Sequence, residues 1–430
     1  MGEEGQRRRR RSGGMAGNDR RETEEEYLRR MRRRQAIMRR RRRERRRKVF
    51  LMRTCLAAAL VICIICIVVN ASSRSGQDDG TRSALAETGS GGGTVSSSDG
   101  QNGSSAGSTD GTGSSAGSGQ SGTGDTAQEA VSITISAAGD CTLGTDENFD
   151  QSTSFNAYFD QNGAAYFFQN VKSIFDADDL TIVNMEGTLT EETSRQDKTF
   201  AFKGNGSYAQ VLSEGGVEAA NLANNHSHDY GDQSYIDTIG YLGAEGIVSF
   251  GYDRTAVMDV NGVKVGLVGV YELADGMECE DEMISYIQSV EAEGAQIVIV
   301  SFHWGVEKEY YPDDTQVALA HSAIDNGADL VLGHHPHVLE GIEEYKGKNI
   351  VYSLGNFCFG GNSNPSDKDT MIFQQTFTVE NGELVEDNVT NIIPCSLSSV
   401  ADYNNYQPTP LEGEEADRVL QKIQEYSAGL

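Results

Sequence analysis

The sequence predicts an α/β domain at the carboxyl end of a 430-residue chain. Three observations predict it. Short β-branched runs recur, each ending in Gly, Asn, Asp or His. Helical patterns lie between several of them. The runs are continuously apolar, as strands covered on both faces are.

In chain order the runs are ITISAAGD (133–140), LTIVNMEG (180–187), VEAANLANNH (217–226), VKVGLVGV (263–270), QIVIVSFHWG (296–305), ADLVLGHHPH (328–337) and NIVYSLGNF (349–357). The interleaved helical patterns are 234–246, 285–294 and 315–327, where apolar residues recur at three- and four-residue spacing. Residues 371–397 read as a hairpin turning at Asn381-Gly382. An amphipathic helix over 411–427 closes the chain, with Leu411, Val419, Leu420 and Ile423 apolar.

The preceding residues belong to another regime. Residues 1–53 hold 22 Lys and Arg against 8 Asp and Glu, a net of +14. The remainder holds 14 basic and 56 acidic residues, a net of −42. A surface so acidic repels phosphate backbones, so nucleic acid is excluded as a partner of the folded part. The break between the regimes is apolar: Cys55 to Val69 carries no charge, and Val49–Met52 extends the run past Arg53. With a basic flank of this size, the run reads as one transmembrane helix over 49–71. Residues 1–48 then form a cytoplasmic tail, and everything after the run lies outside the cell. A cleaved signal peptide ending near Val69-Asn70-Ala71 is the alternative, and it exports the same domain. In the tail, the Arg clusters serve as a topology signal, with anionic lipid headgroups as a second use.

Residues 72–130 read as a disordered linker. Gly and Ser make up half of residues 71–130, and no aromatic occurs among them. As a flexible coil it spans roughly 40–45 Å. The extracellular domain is therefore 131–430. Its cysteines, Cys141, Cys279, Cys358 and Cys395, are widely spaced with no CxxC pair, which leaves one or two disulfides open and supports neither a zinc ribbon nor a redox motif.

Chemistry is concentrated at the strand ends. All seven His lie in the domain, and six sit at or just past the end of a β-run. Open α/β sheets place their sites there. Asp140, Asn184, Glu186, Asn225, His226, His303, His335 and His337 can thus converge on one rim. Carboxylates, an amide oxygen and imidazoles together suit Zn, Mn, Fe or Ni. Glu186 is the natural bridge between two cations, and a neighbouring His can protonate a leaving group. His321, mid-helix, reads as structural, and His228 as structural or supporting. A Ser or Cys hydrolase is disfavoured, since the domain contains no GxSxG.

These motifs resemble a known family. GD (139–140), NMEG (184–187), NNHSHDYG (224–231), HWGVE (303–307), GHHPHV (333–338) and SLGNF (353–357) are similar, in order and spacing, to the CapA proteins of poly-γ-glutamate capsule synthesis. The resemblance implies a metallophosphoesterase-like two-sheet sandwich flanked by helices. It also implies a membrane-anchored protein acting on poly-γ-glutamate or a related surface polymer, or a phosphoester, alongside membrane subunits of a polymer synthase. Carried onto this chain, it places Asp140, Glu186, Asn225, His303, His335 and His337 at metal-ligand positions, with one or two divalent ions. His226 and Asp229 take catalytic positions. Asn184, Asn224, His334, Lys203 and Asn356 fall in supporting or substrate positions. Three departures stand out, one of them the lack in GNGSYAQVL (204–212) of a proline often found there. The Asp-x-His of ordinary phosphoesterases is replaced by Asp140-Cys141-Thr142, and GYDR (251–254) stands where the family has small residues. A non-catalytic polymer-binding or export accessory is the alternative reading.

Overall fold

The structure, a computed structural model, describes residues 130–430, apart from the Glu386 side chain. The basic tail, the apolar run and the linker to residue 129 lie outside the described residues. Among the described residues, no helix is long and apolar enough to cross a membrane.

Among the described residues the strands, in chain order, are β1 (Val131–Thr142), β2 (Thr145–Asp146), β3 (Leu180–Met185), β4 (Thr188–Leu189), β5 (Phe202–Gly204), β6 (Ala219–Asn221), β7 (Val248–Phe250), β8 (Ala256–Val260), β9 (Val263–Tyr271), β10 (Ile297–His303), β11 (Leu330–His334), β12 (Ile342–Tyr345), β13 (Lys348–Val351), β14 (Asn356–Phe359), β15 (Asp369–Glu380), β16 (Glu383–Ser396) and β17 (Thr409–Pro410). The longer helices among the described residues are α1 (Asp232–Ala244), α2 (Glu280–Ala292), α3 (Asp314–Asp325) and α4 (Gly413–Ser427).

Two large sheets form. One runs β17-β16-β15-β1-β3-β6-β7, with β14 also pairing β1; the other runs β12-β13-β11-β10-β9-β8. A small sheet, β2-β5-β4, adjoins them in sequence. Both large sheets are mixed: β1, β3, β6 and β7 are parallel in one, β9, β10, β11 and β13 in the other, with antiparallel strands at the margins.

The sheets share one core. Ile133 and Ile135 of β1, Leu180 and Ile182 of β3, and Phe373 and Phe377 of β15 cluster with Val265 and Leu267 of β9, Ile297 and Ile299 of β10, and Leu330 and Leu332 of β11. Each such side chain, fully buried, contributes about 1.5–3 kcal/mol of apolar transfer. The outer face of the second sheet is covered by α2 and α3, through Met283, Ile287, Val290, Leu319 and Ala323, around Phe302, Trp304 and Tyr352. The second sheet is therefore covered on both faces, as its apolar runs required. Helix α4 places Val419 and Ile423 in the shared core, while Arg418 and Lys422 pair with Asp369 at 2.7 and 2.9 Å.

The hairpin forms as expected, β15 to β16, with Asn381 and Gly382 at φ 55° and 86°. Two expected runs are corrected. Within 217–226 only Ala219–Asn221 is strand, because the Asn221 carboxamide accepts from the Ala223 N–H and turns the chain out of the sheet. The run 349–357 divides: β13 belongs to the second sheet and β14 to the first, the chain crossing between them at Gly355 (φ 70°). The four cysteines of the described residues are buried free thiols.

Candidate metal centre

The parallel strands of both sheets end on the same side of the sandwich, and their last residues meet. Asp140 and Asn184 are register partners on β1 and β3, and Asn356 pairs with Asp140 from β14. His303 and His334 are register partners on β10 and β11. Gly139 allows the close approach: a Cβ there would lie 1.9 Å from the Gly355 carbonyl, to which the Asp140 N–H donates at 2.9 Å.

Asn184 organises the floor. Its amide donates to Asp140 Oδ1 at 2.8 Å, and its carbonyl accepts from Asn221 at 3.1 Å and Asn224 at 3.3 Å. Asn224 also donates to the Met185 carbonyl at 2.8 Å and accepts from the His226 N–H, shaping the turn that presents Asn225 and His226.

Glu186 stands at the centre, fully buried, and neither carboxylate oxygen has a hydrogen-bond partner. Its two oxygens face different donors. Oε1 lies 3.7 Å from His303 Nε2, which is itself 3.0 Å from Asn225 Oδ1, and 4.0 Å from His226 Nε2. Oε2 lies 3.8 Å from His337 Nδ1, which is 3.2 Å from Asp140 Oδ2 and 2.9 Å from Asn356 Oδ1. Glu186, His335 and His337 each offer a ligand atom within 4.8 Å of the other two. The His335 and His337 backbones are left-handed (φ 98° and 59°), a strained arrangement that turns both imidazoles inward around Pro336.

Burial and neighbouring charge set the ionisation. Burial pushes Glu186 up to about 8, against the attraction of His337 and with the repulsion of Asp140. Burial also opposes Asp140, but the hydrogen bond and charge of His337, the charge of His334 and the Asn184 amide hold it below the usual carboxylate value. His337 is raised to about 10, because Glu186 and Asp140 outweigh its burial. Burial, with the charges of His335, His334 and other imidazoles, holds His303 well below its ordinary value. Burial also lowers His334 to about 4 and His335 to about 3. The site thus gathers two carboxylates, an amide oxygen, the neutral imidazoles of His303, His334 and His335, and the His337 imidazole, which a cation would strip of its proton: the donor set of a borderline divalent cation. A buried carboxylate with no hydrogen bond is costly unless a cation or a proton meets it. The residues present fit a metal.

His226 stands beside this centre. Its Nδ1–H donates to Asp229 Oδ2 at 2.7 Å, so Nε2 carries the lone pair that faces Glu186. Asp229 is held in turn by Lys198 Nζ at 2.7 Å and the Phe202 N–H at 2.6 Å. Lys198 also donates to the Asn225 carbonyl at 2.9 Å. Burial lowers His226 despite the Asp229 hydrogen bond.

Of the residues singled out in the sequence, Lys203 turns elsewhere: its ammonium donates to the Glu192 carbonyl and lies 4.6 Å over the Tyr230 ring. His334 is buried beside Asp140, with both nitrogens lacking hydrogen bonds. His321 pairs with Glu343 at 2.8 Å and stacks on Tyr345; His228 stacks on Tyr235. Sequence reasoning gave no site role to Asn221, Lys198 or Tyr252. Asn221 ends a strand one turn before NNH, which is a signal in hindsight; the other two reach the site from separate loops.

A family model described as "Bacterial capsule synthesis protein PGA_cap" matches residues 134–361, more than half of the chain. The "PGA biosynthesis protein CapA" of Bacillus subtilis (strain 168) is 35% identical over 221 residues, 46% of this chain and 58% of its own length. The "Capsule biosynthesis protein CapA" of Bacillus anthracis is 29% identical over 308 residues, 64% of this chain and 72% of its own. A "Probable polyglutamine synthesis accessory protein" of Mycobacterium tuberculosis (strain ATCC 25618 / H37Rv) is 30% identical over 211 residues, 42% of this chain and 55% of its own. The chain therefore spans between half and three quarters of the length of these three relatives, and less than two thirds of the Bacillus subtilis protein. It belongs to the bacterial capsule synthesis (PGA_cap, CapA) family.

Proposed function

We propose that this chain is a membrane-anchored, extracellular accessory of surface-polymer synthesis, of the poly-γ-glutamate type, with a divalent-metal site that performs hydrolysis or transfer. The observation that carries the proposal is Glu186: a fully buried carboxylate without hydrogen bonds, one oxygen toward Asn225 and His303, the other toward Asp140 and His337. In this reading the sandwich is of the metallophosphoesterase type. Asp140, Glu186, Asn225, His303, His335 and His337 hold one or two ions of Mn, Zn or Fe.

When bound, such an ion supplies Lewis acidity and a nucleophile drawn from water near neutral pH. The chain's own residues do the rest. Asn184 and Asn356 orient Asp140 and His337. Asp229, braced by Lys198, holds the His226 tautomer, so that Nε2 takes or gives the proton of the leaving group. The substrate is a surface polymer or a phosphoester, met outside the cell, and polymer-synthase membrane subunits are the partners. The apolar run 49–71 and the +14 tail support a single-pass anchor with the N-terminus cytoplasmic.

One observation favours the non-catalytic accessory reading. Where ordinary phosphoesterases have a first-strand His, this chain has Thr142, whose buried hydroxyl has no partner, after a Cys141 thiol that burial raises to about 12. That removes a ligand from one side of the centre. Hydrolysis of aryl phosphoesters and γ-glutamyl oligomers, measured on Mn-loaded and chelated protein, separates the two. Metal-dependent turnover lost in His226→Ala supports the hydrolase; its absence on every substrate supports the accessory.

A further inference from the structure

The GYDR segment (251–254) forms a tight turn directly behind the loop 223–226. Gly251 and Arg254 close it with hydrogen bonds in both directions, 2.8 and 3.2 Å. Gly251 is pressed against that loop: a Cβ there would lie 2.5 Å from Ala223 N. Tyr252 follows with φ 56°, a left-handed backbone that a bulky side chain rarely adopts. The strain is held in place by packing. The ring meets Tyr235, Tyr271 and His228 edge-on at 5.7, 6.1 and 5.8 Å. Its hydroxyl donates to the Asn224 carbonyl at 2.6 Å.

That carbonyl belongs to the peptide linking Asn224 to Asn225. Asn224 is already tied by its side chain to Met185 and Asn184. The hydroxyl fixes the remaining freedom, the plane of the peptide from which Asn225 projects Oδ1 to within 3.0 Å of His303 Nε2. The other half of the centre, Asp140, His337 and Glu186 Oε2, is held by Asn184 and Asn356, and meets the turn only indirectly, through the Asn184 carbonyl that accepts from the Asn224 side chain.

We propose that the Tyr252 hydroxyl is a positioning group for the Asn225–His303 half of the metal centre, so that its loss weakens one cation position and spares the other. The inference rests on the metal reading above. Outer partners of metal ligands are worth about 10- to 100-fold in affinity. The test is titration of the metal-free, detergent-solubilised full chain with Mn²⁺ and with Zn²⁺, as wild type and Tyr252→Phe, beside the melting temperature of the metal-free forms and hydrogen exchange at the Asn225 and His226 amides. The expected result is at least a tenfold weakening of one class of site, the other unchanged, an unchanged melting temperature and faster exchange at those amides. Unchanged constants overturn the role of Tyr252 and leave the metal reading intact. Equal weakening of both classes with a lower melting temperature also overturns it, as a general loosening. A wild type with a single class of site overturns the split between two positions and leaves the metal reading intact, and one that binds neither ion overturns the metal reading and this inference with it.

Discussion

Two buried glutamates in this domain share a description and differ in surroundings. Glu186 and Glu340 are both wholly buried, both are raised to about 8 by burial, and each has an oxygen without a partner. Around Glu186 stand His226, His303 and His337. Glu340 instead takes one hydrogen bond, from Gln316 Nε2 at 2.9 Å, and feels the negative charges of Asp313 and Glu309. Burial alone therefore does not mark a metal site. Donors on more than one side mark it, and where they are missing the carboxyl is served by a proton.

The largest effect that could break this comparison is at Glu186. Glu186→Gln removes the shared anionic donor and should abolish tight Mn²⁺ or Zn²⁺ binding, while the metal-free melting temperature stays level or rises. Glu340→Gln should leave metal binding untouched. Equal metal content in the two variants would dissolve the distinction. Next in size is His335→Ala, which removes one member of the Glu186–His335–His337 group and should cost at least tenfold in affinity, read by competition with a chelator.

Proton linkage sharpens the comparison. Without the ion, Glu186 (about 8) and His337 (about 10) hold protons at pH 7. A cation displaces them, so affinity should rise with pH and binding should release at least one proton. Calorimetry in buffers of different ionisation enthalpy measures that number.

Glu340 has the opposite role. Its folded pKa, about 8, exceeds its unfolded value, so folding favours the protonated form. That stability is fully present below about pH 4.5 and is lost as pH rises through 8. Between pH 5 and 9 the loss should be roughly 2–4 kcal/mol, and Glu340→Gln should flatten it, as denaturant midpoints would show. The smallest effect belongs to Lys203, turned toward Tyr230 and Glu192. Lys203→Ala should change metal affinity less than twofold.

Much of this centre was legible because strands announce their ends. A β-branched run followed by GD, NMEG or GHHPH places polar side chains past the last core residue, and parallel strands bring such ends to one side. The hairpin at Asn381-Gly382 was legible from turn chemistry alone. What stayed hidden depends on contacts between distant segments. Tyr252 reaches Asn224 from across a turn whose backbone its own side chain disfavours, and Lys198 reaches Asp229 from the loop before β5. The crossing at Gly355, which carries Asn356 to Asp140, was hidden inside an apolar run that reads as one strand. Glu340 sits in VLEG, where nothing in the sequence distinguishes a buried carboxyl from an exposed one.

Glu186 is proposed to be a ligand of a bound divalent cation. The measurement that tests it most directly is the metal content of the purified protein after extensive dialysis, by mass spectrometry, as wild type and Glu186→Gln. One to two equivalents of Mn, Zn or Fe in the wild type and none in the variant is the predicted result. A folded wild type that holds no metal and cannot be reloaded would contradict it.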